Sequence, residues 1–312
     1  MAIAGQFLEE NAPRPYIHRM STPRPKITIA TLRARKREGK KISMLTCYDF
    51  TTAAIMEEAG VDSLLVGDTY AEVCLGHGTT LPMTLDHLVT ITEAVRRGAP
   101  TAYLVGDMPF LTYQVCPEDA IRNAGRFLVQ GGCDCVKVEV DRRLVKTVEA
   151  MATASIPVMA HLGLRPQSIH GIGGYRIQGR RAADAAKLIE DAKMMEQAGA
   201  IALLLEAVPS EVAAIISEST ELPVIGIVAG PKCDGQVLVL QDMLGYAAGH
   251  PPRSTKRYAE LYPILLEAFR AYAKDVSAGA IPQPDKSASL DPAELAELTR
   301  LRNSARRADP PA

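Results

Sequence analysis

Four acidic residues in this sequence directly follow short apolar runs. Asp68 follows SLLVG, Asp107 follows YLVG, Glu139 follows CVKV and Glu206 follows ALLL. In a parallel barrel, the loops that follow the strands converge on one rim, and active sites are built there. A charge beside a dry core is costly unless it is paired or bound to a cation. Any one of these acids is more often a helix cap or a surface group, but their joint occurrence indicates a site.

Three of these acids, Asp68, Asp107 and Glu139, follow successive apolar runs and could hold one divalent cation. Their oxygen ligands suit Mg²⁺ better than Zn²⁺, because His and Cys are not clustered with them. Lys137 lies two residues before Glu139, so on a strand both side chains share a face. The Lys137 ammonium could then meet a substrate carboxylate beside the metal.

Two further residues complete the candidate site. His161, near the end of a later run, could donate a hydrogen bond to the same substrate anion, and Glu206 is positioned to act as a base. Considered alone, Lys137 is more often an ion-pair partner and His161 a packed, hydrogen-bonded histidine. Asp49 and Asp242 also end apolar runs, and we interpret them as structural groups or as groups that support the site residues from behind.

Eight short apolar, often β-branched runs alternate with helical patterns and supply the strands that would position these acids. The predicted strands are Ile42–Tyr48, Asp62–Val66, Ala102–Gly106, Cys133–Val138, Pro157–Leu162, Ile201–Leu205, Pro223–Val228 and Gln236–Leu240. The pattern favours a (β/α)8 TIM barrel of the α/β class. A doubly wound open sheet is the second choice, but the first strand lacks the Gly-rich turn that such a sheet would carry. The segment between the seventh and eighth runs, AGPKCDGQ, is too short for a helix.

The predicted organisation has three parts: a flexible N-terminal arm at 1–25, a barrel catalytic domain at 26–281 and a polar C-terminal tail at 282–312. Helices flank the strands as an N-terminal helical arm and as C-terminal helices. These flanking helices are predicted at Thr28–Lys40, Thr255–Lys274 and Asp291–Arg302.

Composition excludes several classes of protein. The 312 residues include 35 Lys and Arg against 36 Asp and Glu, and a formal net charge of −1 argues against nucleic-acid binding. Apolar runs are too short to cross a membrane, and no signal peptide is recognisable. The 6 cysteines are scattered without a CxxC motif, which indicates buried thiols in a reducing compartment. We therefore expect a cytoplasmic protein.

Ten segments occur in the order and spacing of one known family. They are MLTCYD (44–49), LLVGDT (64–69), GHGTTLPMT (76–84), AVRRGAP (94–100), GDMPF (106–110), VKVE (136–139), PVMAHLGLRPQS (157–168), GGYRIQGR (173–180), LLLEAVP (203–209) and PVIGIVAGPKCDGQVLVLQDMLG (223–245). From about Lys26 to about Ala280, the chain resembles the ketopantoate hydroxymethyltransferase (3-methyl-2-oxobutanoate hydroxymethyltransferase) family of the phosphoenolpyruvate/pyruvate barrel superfamily.

The resemblance implies a (β/α)8 barrel, a cytoplasmic homo-oligomer (a decamer) and a reaction of pantothenate biosynthesis. Members transfer a hydroxymethyl group from 5,10-methylenetetrahydrofolate to the 2-keto acid α-ketoisovalerate, giving ketopantoate. Mg²⁺ would stabilise the enolate of the keto acid, which attacks the one-carbon unit of the folate. The implied residues are Asp68, Asp107 and Glu139 as metal ligands, Asp68, Thr69, Asp107, Lys137 and His161 as keto-acid contacts, and Glu206 as the base.

The sequence departs from the family pattern mainly around the predicted site. GDTYAE (67–72) stands where the family has GDSLGM, so Thr69 replaces a serine and Glu72 adds a charge. Further departures are Gly78, Val140, Asp141, Arg165 and Gln241. They leave two alternatives open: a related Mg²⁺-dependent lyase or aldolase that acts on another 2-keto acid without folate, and a catalytically silent oligomeric barrel.

Overall fold

The computed structural model describes residues 24–247, 255–282 and 287–308. The described residues form two compact units, one up to Ala259 and one from Glu260 onward. The flexible arm predicted at 1–25 lies almost wholly outside the described residues. The three-part domain division stays a prediction.

Eight parallel strands close into one barrel in chain order, with the last strand paired to the first. The strands are β1 (Ile42–Thr46), β2 (Ser63–Val66), β3 (Tyr103–Asp107), β4 (Cys135–Glu139), β5 (Val158–Gly163), β6 (Ala202–Glu206), β7 (Val224–Ile227) and β8 (Gly235–Leu238). The predicted barrel is therefore confirmed, and every strand ends within two residues of its predicted bounds. Parallel strands are buried on both faces, and this is why they read as continuous apolar runs.

Helices follow the strands, except between β7 and β8, where the connection is a loop as predicted. The helices of this unit are α1 (Ile29–Arg37), α2 (Phe50–Glu58), α3 (Tyr70–Val73), α4 (Leu85–Gly98), α5 (Pro117–Val129), α6 (Val145–Thr153), α7 (Ile169–Ile172), α8 (Ala182–Gln197), α9 (Ser210–Ser219) and α10 (Leu240–Met243). Two 3₁₀ turns, Arg142–Leu144 and Pro166–Ser168, precede α6 and α7. Asp49 caps α2 by accepting a hydrogen bond from the Thr52 backbone N–H at 2.8 Å, a structural role as interpreted.

Two buried clusters of apolar side chains hold the barrel. One lies between the strands and the surrounding helices, and the other fills the barrel interior. The interior cluster also includes Ile27 and Leu32, which come from the segment before β1 and from α1. Because Leu32 is almost fully buried there, α1 closes the N-terminal end of the barrel. The other end is left to the loops that follow the strands.

The second unit contains α11 (Leu261–Ser277) and α12 (Pro292–Ala308), which correspond to the two predicted C-terminal helices. Among the described residues, no helix combines the length and apolar character needed to cross a membrane. All six cysteines are free thiols. Four of them are buried, but Cys74 is exposed and Cys116 is half-buried, so the expectation of buried thiols is wrong for those two.

Candidate active site

All seven predicted site residues line one cavity of about 50 Å³ at the C-terminal end of the barrel. These residues are Asp68, Thr69, Asp107, Lys137, Glu139, His161 and Glu206. The rest of the lining is mostly apolar and comes from the barrel interior, with Leu65, Leu204 and Val237 among it. The structure therefore brings all seven predicted residues together above the apolar interior of the barrel.

Strand alternation explains why these side chains meet. On β4, Cys135 belongs to the interior cluster, so Lys137 and Glu139 continue the same inward-facing series. On β5, His161 follows Met159 in the same way. The register pairs Asp107 with Lys137 and Glu139 with His161, so the polar ends of β3, β4 and β5 are neighbours. The site is the top layer of the barrel core, with polar residues in place of apolar ones.

Lys137 is the cation closest to the acids of this cavity among the described residues. Its Nζ lies 2.6 Å from Oδ1 of Asp107. The other oxygen of Asp107, Oδ2, accepts a hydrogen bond from the Asp68 backbone N–H at 3.1 Å. Glu139 accepts a hydrogen bond at Oε2 from the Gln167 backbone N–H, while its buried Oε1 has no hydrogen-bond partner among the described residues. Three buried carboxylates thus share one ammonium.

The pKa shifts of these groups follow from their burial and from the clustering of their charges. Burial, followed by the nearby charge of Asp107, raises the pKa of Asp68 above its usual value. Burial also raises the pKa of Glu139, although Lys137 opposes the shift. Burial alone would lower the pKa of Lys137, but the three carboxylates outweigh it and raise that pKa. The Lys137 ammonium is therefore charged at neutral pH, and no second cation of the described residues pairs with Asp68, Asp107 or Glu139.

The donor set fits a hard divalent cation in kind and in charge. The carboxylate oxygens are the ligands that Mg²⁺ prefers, and the buried, unpartnered Oε1 of Glu139 is an open ligand position. Within the residues that the structure describes, no three acidic, His or Cys side chains already form a cluster able to hold an ion. Lys137 on Asp107 and an amide on Asp68 occupy oxygens of two of the acids. The assignment of Asp68, Asp107 and Glu139 as ligands therefore stays a proposal.

His161 lies between two acids at the cavity wall. Its Nε2 is 3.2 Å from Oε2 of Glu206, and its Nδ1 is 3.8 Å from Oε1 of Glu139. Within the described part of the chain, neither ring nitrogen makes an aligned hydrogen bond. Burial and then the charge of Lys137 lower the pKa of His161, so the ring is neutral near pH 7. A neutral imidazole without bonded partners is available to a ligand in the cavity.

Glu206 is the most accessible acid of the set, with 21% of its side chain exposed. It ends β6, and the next residue, Ala207, has a left-handed backbone (φ 48°) that turns the chain sharply after it. Gly163 at the end of β5 packs so close that a Cβ there would lie 2.3 Å from the Glu206 carbonyl oxygen. Only glycine allows this approach, which holds Glu206 at the rim beside His161.

Comparison with known proteins identifies relatives of this chain. The sequence profile described as ketopantoate hydroxymethyltransferase matches residues 26–284. The 3-methyl-2-oxobutanoate hydroxymethyltransferase of Syntrophomonas wolfei is 46% identical over 82% of this chain and 93% of its own. The enzyme of the same name from Prosthecochloris aestuarii is 47% identical over 84% of this chain and 96% of its own. This chain belongs to the ketopantoate hydroxymethyltransferase family. It is therefore an enzyme, a transferase.

Solved structures share the fold of this family member at low sequence identity. Phosphonopyruvate hydrolase, solved in complex with oxalate and Mg²⁺, has a TM-score of 0.56 at 13% identity and covers 90% of this chain and 97% of its own. A 2,3-dimethylmalate lyase of the PEP mutase/isocitrate lyase superfamily has a TM-score of 0.53 at 19% identity, covering 91% of this chain and 99% of its own. These likenesses support the barrel architecture.

The departures from the family pattern at 70–72 lie outside the cavity lining. The Tyr70 ring packs against those of Tyr48 and His87, at centroid distances of 5.4 and 5.3 Å. Glu72 accepts a hydrogen bond from the Tyr175 hydroxyl at 3.0 Å, in the GGYRIQGR segment of the family. Thr69 does line the cavity, and its hydroxyl is 2.6 Å from that of Tyr48. Of these residues, only Thr69 alters the wall of the site.

Gln167 is the site residue that the sequence interpretation missed. Its side-chain Nε2 donates to Oδ2 of Asp68 at 2.9 Å, and its backbone N–H bonds Glu139. It is almost fully buried, in the turn that follows β5. The available signal was a polar side chain in the PQS sequence shortly after a strand end, on the rim where the acids gather.

Proposed function

We propose that this enzyme transfers a hydroxymethyl group from 5,10-methylenetetrahydrofolate to α-ketoisovalerate, giving ketopantoate for pantothenate biosynthesis. Its relatives carry the name of this activity at 44–47% identity. The observation that supports the same activity here is the cavity itself, in which three buried carboxylates, one lysine, a neutral histidine and a rim glutamate meet. Mg²⁺ and the folate donor are parts of this proposal.

The substrate anion would be held by Lys137 and His161. The raised pKa of Lys137 keeps its ammonium charged in the cavity. A buried ammonium can form a strong, charge-assisted hydrogen bond with a substrate carboxylate. His161 has unbonded ring nitrogens and can donate one hydrogen bond. Thr69, bonded to Tyr48, offers a hydroxyl at the same wall. The aliphatic end of the keto acid would face the apolar lining.

Asp68, Asp107 and Glu139 would hold Mg²⁺, which when bound supplies Lewis-acid stabilisation of charge on the keto oxygen and so acidifies the neighbouring C–H group. Glu206 would accept that proton. It is the acid of the cavity most open to solvent, so the proton can leave to water. As the substrate carbon bonds to the methylene carbon of the folate, both C–N bonds of that methylene carbon would break, water would supply the hydroxyl group, and tetrahydrofolate would leave.

Purified protein with Mg²⁺, α-ketoisovalerate and methylenetetrahydrofolate tests the proposal. We expect ketopantoate by mass spectrometry, and no product after chelation of the metal. A folate-independent lyase would turn over another 2-keto acid and bind folate weakly. A silent barrel would give no product and no metal binding. Either result would remove the proposed activity.

We further propose that the enzyme is a cytoplasmic homo-oligomer, as the family resemblance implies. On α11, Tyr262, Ile264, Phe269 and Tyr272 are each more than 60% exposed in the single chain. Such a density of exposed apolar side chains is typical of surfaces that associate. Light scattering coupled to gel filtration would measure the subunit number, and a monomer at micromolar concentration would contradict the proposal.

A further inference from the structure

Gln167 is the centre of a buried hydrogen-bond network beside the cavity. Its Nε2 donates to Oδ2 of Asp68 and to the Met108 carbonyl oxygen, both at 2.9 Å. Its Oε1 accepts from the Tyr113 hydroxyl at 2.7 Å and from Nε2 of Gln114 at 3.0 Å. Both amide hydrogens and both oxygen lone pairs are used. A side chain saturated in this way has a single orientation.

Gln167 also donates a hydrogen bond to a second acid of the cavity, Glu139. The Gln167 backbone N–H donates to Oε2 of Glu139 at 3.0 Å, and the Tyr113 hydroxyl accepts from the Glu139 backbone N–H at 2.9 Å. Tyr113 therefore links the end of β4 to Gln167, which lies 54 residues after Tyr113 in the chain. Glu139 is left with one bonded and one unbonded oxygen. Two of the three clustered acids are oriented by a single turn.

The chemistry of these donors matters. A lysine or arginine at this position would neutralise an acid and compete with a bound cation. An amide and a backbone N–H orient the carboxylates without adding charge. We infer that Gln167 is a positioning residue that sets the affinity of the cavity for a divalent cation, acting through Asp68 and Glu139. This inference rests on the proposed metal dependence.

The test compares two substitutions of the same kind. Gln167→Met keeps the length of the side chain and removes the amide. The matched control is Gln241→Met, because Gln241 is also buried near this end of the barrel, but its side chain bonds only Cys74 Sγ among the residues that the structure describes. Calorimetric titration with Mn²⁺, without substrate, is the readout. Mutation of residues that orient metal ligands typically lowers metal affinity 10–100-fold. We therefore expect the affinity for Mn²⁺ to fall about tenfold or more in Gln167→Met and to change less than about twofold in the control.

Urea unfolding separates positioning from a purely structural role. If Gln167→Met loses stability but binds Mn²⁺ as tightly as the wild type, the inference is wrong. Tyr113→Phe provides a second route should Gln167→Met not fold, since it keeps the ring and removes only the hydroxyl, which bonds the Gln167 side chain and the Glu139 backbone N–H. We expect it to weaken Mn²⁺ binding in the same direction, and unchanged binding would overturn the inference.

Failure of the inference can be distinguished from failure of the proposed function. Wild-type protein that binds Mn²⁺ and forms ketopantoate, with both variants binding normally, contradicts only the role of Gln167. Wild-type protein that binds no Mn²⁺ overturns the metal dependence and the inference together.

Discussion

The acidic side chains at the two ends of the barrel differ in how completely they are paired with cations and hydrogen-bond donors. At the N-terminal end, Asp62, Asp134 and Asp234 directly precede β2, β4 and β8. Each accepts a backbone N–H from the preceding strand, at 3.0, 2.8 and 2.9 Å respectively. Each also has a cation within 3.0 Å, and Asp134 has two. These acids tie neighbouring strands together and are fully paired.

Glu57 belongs to the same end of the barrel. It accepts hydrogen bonds from the backbone N–H groups of Thr101 and Ala102 and pairs with Arg24 at 3.1 Å. Burial alone would raise the pKa of Glu57, but the Thr101 hydroxyl and Arg24 outweigh it and lower that pKa. At the C-terminal end, burial raises the pKa of Asp68 and Glu139 instead.

The difference teaches how to separate structural acids from functional ones in this fold. Both sets sit at strand ends, so position alone does not distinguish them. Pairing does: the acids at the N-terminal end have enough partners, whereas Asp68, Asp107 and Glu139 share Lys137 and leave an oxygen unbonded. Clustered, under-compensated acids are costly to keep, which points to a functional use.

The largest expected effect is on catalysis and comes from Glu139→Gln. A neutral amide cannot replace a carboxylate ligand of a cation, so we expect kcat/KM for ketopantoate formation to fall about 10³-fold, or about 4 kcal/mol. The free energy of unfolding should stay the same or rise, because a buried, unpaired charge is removed. Steady-state kinetics with urea unfolding measure both. A Glu139→Gln variant that keeps its activity but unfolds more easily would show that Glu139 is a structural acid, like those at the N-terminal end.

Glu57→Gln should have the reverse effect. Glu57 is the buried partner of this ion pair, and its removal leaves the half-buried Arg24 without a carboxylate, so we expect the free energy of unfolding to fall by about 3 kcal/mol. The rate per folded molecule should not change. Glu93→Gln is the control, because the Glu93–Arg97 pair is exposed and should contribute less than about 0.5 kcal/mol. Equal losses in the two variants would show that the N-terminal network does not stabilise the barrel.

The barrel and the members of the site follow from the sequence, whereas the contacts that orient them do not. Each buried strand is a short apolar run, and the acids after β2, β3, β4 and β6 must converge once the barrel closes. Gln167 and Tyr113 lie in loops whose conformation leaves no periodic signal. The paired acids at the N-terminal end of the barrel did leave a signal in the sequence: an aspartate stands immediately before each of three strands, at 62, 134 and 234. Its significance depends on cations from α1 and α4 that only the closed barrel brings near.

Addition of a divalent cation should sharpen the contrast between the two ends. Mg²⁺ at about 100 times its Kd would stabilise the folded protein by about 2.7 kcal/mol, which raises Tm by several degrees for a domain of this size. Wild type and Glu57→Gln should respond equally, since Glu57 is remote from the cavity. Glu139→Gln should not respond. Differential scanning fluorimetry over a Mg²⁺ series measures the shift, and an equal response of all three proteins would place cation binding away from these acids.

The smallest expected effect is that of acid pH on the stability that Glu57 contributes. The folded-state pKa of Glu57 is lowered, so the unfolded chain binds this proton more readily. The stability that Glu57 contributes is therefore complete above its unfolded pKa of about 4.3 and is lost as the pH falls through the lower folded value. We expect the difference in unfolding free energy between wild type and Glu57→Gln to narrow between pH 5 and pH 3, as measured by urea denaturation. Other acids titrate alike in both proteins and cancel, so a difference that stays constant to pH 3 would mean that packing, and not charge pairing, accounts for the role of Glu57.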